Sequence, residues 1–347
     1  VTRHRIVTED LEEIAGAPLP FEAFAGGTVL VTGASGIVAS YVVETLLHLN
    51  DTRRNGTRVL ALVRDREKAT RRFAHYQGRK DLELVVQDVC LPPAVAGPVD
   101  FVVHAASHAS PKHYGSDPVG TLAPNVLGTH HLLELARERR SKGFLFLSGG
   151  EVYGTLDPTA PATKETDQGK VDPMLVRSCY AESKRMGEAM CAAWSHQHRV
   201  PARVARLYHT YGPGMPLDDG RVFADFVADV VSGRDIVMKS DGSAVRAYCY
   251  LADAVAGLFT VLLRGAPGEA YNVGNDAAVV SVLELANRLV ALFPGKRLAV
   301  IRQAPAPGYL ASPIARTCPD LTKIKALGWA PRHSIESGFA RTVASYS

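Results

Sequence analysis

No stretch of this 347-residue sequence approaches the roughly 18 consecutive apolar residues of a membrane span, and Val1-Thr2-Arg3-His4-Arg5 leads into an acidic stretch, Thr8 to Glu13. Neither a membrane anchor nor a secretory leader is expected, and the reading is a cytoplasmic protein. Cysteine is sparse: Cys90, Cys179, Cys191, Cys249 and Cys318 are odd in number and widely spread, without a CxxC pair or a neighbouring Cys/His cluster. Such spacing argues for reduced thiols and against a structural metal. Dense Lys/Arg tracts are also missing, so the net charge of +4 suits a site for a pyrophosphate better than a nucleic-acid groove. No internal repeat or low-complexity tract appears.

What is there has the make-up of an ordinary enzyme, with 46% hydrophobic and 21% charged residues on a chain long enough for a sizeable core. Residues 1–26 read as an extension packed on the surface, with Thr8 capping a short helix that Pro18 and Pro20 stop. From Thr28 strand-like runs alternate with helical ones: Thr28–Thr32 then Val38–Leu49, Val59–Val63 then Glu67–Tyr76, Leu82–Gln87, Phe101–His104, Thr129–Arg137, Phe144–Ser148. This alternation predicts an α/β fold, a Rossmann-type doubly wound parallel sheet. A helical segment Tyr180–His196 and a strand Ala202–Arg206 follow, and past residue 208 the rhythm weakens among Gly212-Pro213-Gly214 and Asp218-Asp219-Gly220. The dinucleotide-binding domain is therefore set at 27–207, with a later strand near 247–275. A smaller substrate-binding lobe takes 208–347.

The first strand runs into Gly33-Ala34-Ser35-Gly36-Ile37-Val38-Ala39 and then a helix. Glycines there allow a tight turn and a close approach to a pyrophosphate, which the helix N-terminus favours. A glycine pair alone can be a plain strand-to-helix turn; its place after the first strand of an alternating series points to a dinucleotide. Asp88 and Val89 after the third strand, and Ala105-Ala106-Ser107 after the fourth, suit the same ligand. The second strand ends at Arg64, where an acid would favour NAD and an arginine admits the 2′-phosphate of NADP. Arg64 leaves both open.

Tyr180 and Lys184 stand four residues apart on one helical face, and a neighbouring ammonium favours a phenolate base. Tyr76 and Lys80 share that spacing, but Gly78 and a loop-like setting separate them. The surroundings Arg177-Ser178-Cys179-Tyr180-Ala181-Glu182-Ser183-Lys184-Arg185 lie some thirty residues after Ser148-Gly149-Gly150-Glu151-Val152-Tyr153-Gly154. With these segments the chain resembles the extended short-chain dehydrogenase/reductases of the nucleotide-sugar epimerase, dehydratase and decarboxylase group, from Thr28 to about Pro331. Tyr211-Gly212-Pro213, Gly220-Arg221-Val222 and Pro319-Asp320 most resemble UDP-glucuronate decarboxylases.

The resemblance implies NAD as cofactor and a nucleoside-diphosphate sugar as substrate. Tyr180 would take a sugar-hydroxyl proton, Lys184 would lower its pKa and hold the nicotinamide ribose, and Asn125 would order the active-site helix, its plain alternative being a helix cap. Glu151, His209, Arg221, Arg246 and Arg316 would face the substrate. A homodimer through the helices Thr129–Arg137 and Tyr180–His196 is implied as well.

Two departures bear on the chemistry. Gly149 stands where the family usually has Ser or Thr beside the tyrosine, and Gly150 removes the acid that dehydratases use and the hydroxyl that decarboxylases carry. Ser148 is the nearest remaining hydroxyl, on a strand position that points to the opposite face. The expectation is an epimerase that oxidises the sugar transiently at C4. A uronic acid decarboxylase is the runner-up, a 4,6-dehydratase is a weaker one, and a noncatalytic nucleotide-sugar or dinucleotide binder is the alternative outside catalysis.

Overall fold

The alternating runs fold into one seven-stranded sheet. The computed structural model describes residues 3–157, 159–303 and 314–347. Its strands are β1 (Thr28–Thr32), β2 (Arg58–Val63), β3 (Leu82–Val86), β4 (Phe101–His104), β5 (Gly143–Gly149), β6 (Ala202–Leu207), β7 (His209–Tyr211), β8 (Ile236–Met238), β9 (Val245–Tyr250), β10 (Ala270–Val273), β11 (Val279–Ser281) and β12 (Val300–Arg302). The main sheet runs β10-β6-β5-β4-β1-β2-β3 with every pairing parallel. Strands buried on both faces read as continuous apolar runs, and β1 and β5 are buried at every position. Strand order reverses at β1 and β4, which opens a crevice beyond their carboxyl ends.

β10, drawn from past residue 208, completes this sheet beside β6, in register Ala270 to Val204. A second sheet, β11-β9-β7, pairs β7 parallel to β9. That pairing sets His209 against Tyr248, one residue past Ala247 and two past Arg246.

The N-terminal segment departs from expectation. Its helix spans Arg5–Ala15 and begins at His4, whose ring accepts from the Ile6 amide at 3.2 Å, so Thr8 lies inside it and caps nothing. Nor does it merely lie on the surface. Leu11 and Ile14 join the main core, and Asp10, fully buried, accepts from Tyr41 Oη at 3.1 Å, Tyr250 Oη at 2.8 Å and Arg341 Nη2 at 2.7 Å. Apolar residues three apart form the inward face, and the buried carboxylate is tolerated because three donors satisfy it.

Candidate functional site

β1 ends in a turn that only glycine can make. Gly33 has φ +64°, and a Cβ there would stand 2.7 Å from the Cα of Ala106 across the crevice. The turn is tied by Thr32, whose Oγ1 accepts from the amides of Ala105 and Ala106, each at 3.2 Å, and contacts His104 Nδ1 at 2.8 Å. Burial pushes His104 down to about 3, so it stays a neutral hydrogen-bonding group. Ser35 lies in the turn, and Gly36, extended and without a side-chain cap, starts the helix Ile37–Arg53. Its first amides point into the crevice as an anion site.

The other residues expected at the cofactor follow the ends of β2, β3 and β4. Asp88 accepts from the Cys90 amide at 2.9 Å, which holds its carboxyl below the usual range. Val89 packs at the Gly128 backbone, where an added Cβ would meet it at 3.1 Å. Ser107 Oγ is buried without a partner. Arg64 Nη2 stands 3.2 Å from Nε2 of His108.

Asn125 sits within a π-helical stretch, Pro124–Gly128, and caps nothing. Its amide donates to Thr121 O and to Ser183 Oγ, both at 3.0 Å, and Oδ1 is buried with no partner. The contact with Ser183 fixes this stretch against the helix Cys179–His198, which carries both Tyr180 and Lys184.

Lys184 Nζ is buried, donates to the Leu147 carbonyl at 2.6 Å and lies 5.7 Å from the ring centre of Tyr180. Burial lowers its pKa to about 7. Burial and the charge of Glu151 push the Tyr180 phenol up, and Arg221 opposes them. Glu151 is itself raised by burial, against the charges of Arg177 and Arg246. His209, neutral with a pKa near 3, is pushed down by burial and then by Arg246 and Arg221. The predicted Tyr180, Glu151, His209, Arg221 and Arg246 thus act on one another electrostatically.

Arg246 is held by the carbonyls of Val245 and Ile314, each at 2.8 Å. Arg221 pairs with Asp219 at 2.5 Å. Arg316 donates to the Ala160 carbonyl at 2.6 Å, in a cavity of about 90 Å³ also lined by Thr163 and Cys318.

The structure takes Ser148 away from this group. Its Oγ donates to Glu188 Oε1 at 2.5 Å, on the side where Glu188 also meets Arg206 Nη2 at 2.6 Å. Alternation along β5 gives the reason: Gly149 faces Tyr180 and Ser148 faces away.

Two residues escaped the sequence reading. Tyr114 stacks on Tyr180 with ring centres 5.1 Å apart and 14° between planes, and Arg177 lies 5.5 Å over the Tyr114 ring. Arg177 precedes Tyr180 by three residues, a spacing that offered a signal. Tyr114 follows a Ser-Pro loop with no periodicity to mark it.

A larger cavity, about 230 Å³, lies under the N-terminal helix, lined by Ile14, Asp253 and Trp329 among others, and includes none of the predicted site residues. Glu13, Asp253 and His333 gather at its edge with one ligand atom each within 4.8 Å of the others. Asp253 there accepts the amides of Arg332 and His333, both at 3.0 Å.

The profile of the NAD dependent epimerase/dehydratase family matches residues 29–274. The chain belongs to that family. Among its relatives, UDP-glucuronic acid decarboxylase 6 of Arabidopsis thaliana is 34% identical over 312 residues, covering 89% of this chain and 86% of the relative. UDP-glucuronic acid decarboxylase 1 of Xenopus tropicalis is 33% identical over 318 residues, covering 91% and 71%. A dTDP-glucose 4,6-dehydratase from Streptomyces venezuelae with NAD bound superposes with a TM-score of 0.77 at 25% identity, covering 92% and 96%. UDP-glucuronic acid 4-epimerase from Bacillus cereus does so with 0.75 at 20% identity, covering 92% and 98%, a likeness of fold alone.

The family's NAD fits the residues present. Only a side-chain-free Gly33 leaves the approach to Ala106 open, the Gly36 helix start offers amides to a diphosphate, and the orphaned hydroxyl of Ser107 faces no protein partner. No described helix is long and apolar enough to cross a membrane.

Proposed function

We propose that this enzyme oxidises a nucleoside-diphosphate uronic acid at C4 and releases its carboxylate as CO2. The observation that carries the reading is the cationic surround of the candidate acid and base. Arg246, almost fully buried, acts on both Glu151 and His209, Arg177 acts on Glu151, and Arg221 acts on Tyr180. A buried guanidinium with two half-buried ones near it suits an anionic sugar better than a neutral one. Decarboxylase relatives over most of the chain support the same choice, so it takes precedence over the epimerase expected from sequence.

Bound NAD would supply a hydride acceptor and a positive charge that favours phenolate at Tyr180. Tyr180 accepts the C4 hydroxyl proton, and Lys184, fixed on the Leu147 carbonyl, orients beside it. The C4 ketone makes the substrate a β-keto acid, so the C5–C6 bond breaks with its electron pair drawn into the enolate. Glu151, raised by burial, returns a proton to C5, and Tyr180 gives its proton back to the C4 oxygen. Arg246 holds the carboxylate until it leaves, and Arg221 and Arg316 bind the diphosphate.

Incubation with UDP-glucuronate, read by mass spectrometry, tests this. A product lighter by the mass of CO2 is expected; an isomer of unchanged mass would replace decarboxylation with C4 epimerisation. That second reading has its own support in Gly150, since epimerisation needs no dedicated leaving-group acid.

A homodimer belongs to the same proposal. Leu122, Leu127 and Met186 stand 41%, 49% and 51% exposed on the packed helical segments around Asn125 and Tyr180, an apolar face that a second copy would cover. Light scattering at twice the chain mass is the expected result.

A further inference from the structure

Two successive residues of β5 hold the helix Cys179–His198. The Leu147 carbonyl accepts from the Lys184 ammonium at 2.6 Å, and Ser148 Oγ donates to Glu188 Oε1 at 2.5 Å. Lys184 and Glu188 are one helical turn apart, so the two bonds set the register of helix on strand. Beside Glu188 the helix lies so close to β5 that a Cβ on Gly187 would strike the Phe146 ring.

Arg206, the register partner of Ser148 on β6, closes the cluster from the next strand. Its Nε donates to Glu188 Oε1 at 3.0 Å and its Nη2 to Oε2 at 2.6 Å. Nη1 donates to the Glu165 carbonyl at 2.8 Å, and the guanidinium lies 4.8 Å over the Tyr153 ring. The Glu188 and Arg206 side chains are each only 13% exposed. Well-packed apolar residues often serve stability as well as a buried ion pair does, so stability alone is a weak reason for this one.

Lys184 supplies a better reason. Its ammonium is buried, and the groups acting with it are few: Glu188, which favours the charge, and Cys191, whose thiol burial keeps protonated. His104 on β4 is held neutral by burial and by Lys184 itself, and the Tyr180 ring centre is 5.7 Å away. Among these groups Glu188 carries the negative charge.

Resting on the reading of Tyr180 and Lys184 as the proton-transfer pair, we propose that Glu188 is their positioning residue: pinned between Ser148 and Arg206, it seats the helix on β5 and supplies the counter-charge of the Lys184 ammonium. The hydroxyl of Ser148 thus serves the site from behind the helix, through Glu188.

Melting temperatures of the full chain at pH 6 and pH 9 test this without any substrate. At pH 6, below about 7, Lys184 is an ammonium in the fold, and at pH 9 it is neutral. Lys184→Met is made in the parent chain and in Glu188→Gln. Its gain in Tm at pH 6 should be larger in the Glu188→Gln background by roughly 2 °C, and at pH 9 the two gains should be equal. A Glu188 that merely braces the fold gives equal gains at both pH values, and that result overturns the proposal. Ser148→Ala removes one hydroxyl and keeps the charge; used as the background in the same comparison, it should give a smaller excess of the same sign, and it carries the test if Glu188→Gln does not fold. On the nucleotide sugar identified by mass spectrometry, Glu188→Gln should move the alkaline limb of kcat down by about one pH unit, because the ammonium loses its counter-charge. An unmoved limb also overturns the proposal. A chain that turns over no nucleotide sugar loses the proposed reaction, while the melting comparison still decides the role of Glu188.

Discussion

A Cβ placed on Gly149 would stand 3.2 Å from the phenolic oxygen of Tyr180, and 3.5 Å from the carbonyl of Leu207. Position 149 is therefore the point on β5 from which a side chain reaches the candidate base, and in this chain it carries none. Gly149→Ser puts a hydroxyl there at the cost of a small local shift. The expected outcome is a rise in kcat of about tenfold on the substrate identified by mass spectrometry, from an added donor at the reacting oxygen. A fall in kcat with unchanged thermal stability would show that the space itself is needed.

Tyr180→Phe removes the only atom of that ring assigned to proton transfer. It should lower kcat by roughly 10²- to 10⁴-fold. The stacking with Tyr114 persists, so the melting temperature should stay within about a degree or two, as for a substitution without a named destabilising mechanism. Steady-state kinetics beside a thermal scan separate the two effects.

Lys184 gives a pH dependence with a definite sign. Its folded pKa of about 7 lies below the value of 10.5 for a free lysine, so between these the unfolded chain binds the extra proton and stability rises with pH. Below about pH 7 the cost of the buried ammonium is fully present. Lys184→Met removes that cost, and its gain in Tm over the parent should be larger at pH 6 than at pH 9. Activity should be lost at both.

Asp10→Asn tests the attachment of the N-terminal helix. The substitution takes from Arg341 its buried carboxylate partner, leaving the ion pair with Glu9 at 3.0 Å, and trades an acceptor for a donor facing Tyr41 and Tyr250. A loss of about 2 kcal/mol is expected in urea unfolding, since hydrogen bonds to charged groups contribute about 1.5–3 kcal/mol.

Much of this was written plainly in the sequence. The parallel sheet announced itself through runs buried on both faces, and the Gly33 turn through its place after the first of them. The face of Ser148 followed from strand alternation alone. Contacts made between distant segments were not legible: Tyr114 reaches Tyr180 from a helix of only five residues, Lys112–Ser116, His108 meets Arg64 across 44 positions, and Asp65 commits its carboxylate to a helix cap. β7 and β11 are three residues each, too short for a period to register. The start at His4 was hidden because imidazole is an uncommon cap.

The carboxylate of Asp10 is bonded by Tyr41, Tyr250 and Arg341, partners 31, 240 and 331 positions away. Closing a contact over such a span is entropically slow, and it waits on the segments between. While the chain is being made, its N-terminal helix has no complete place to dock. The helix Ile37–Arg53 can cover part of the apolar face bearing Leu11 and Ile14 early, but the helix Leu251–Arg264 that packs beside it emerges much later, and Arg341 later still. The anchoring of the first helix is therefore completed late, and that helix is the element on which a chaperone would have most to do.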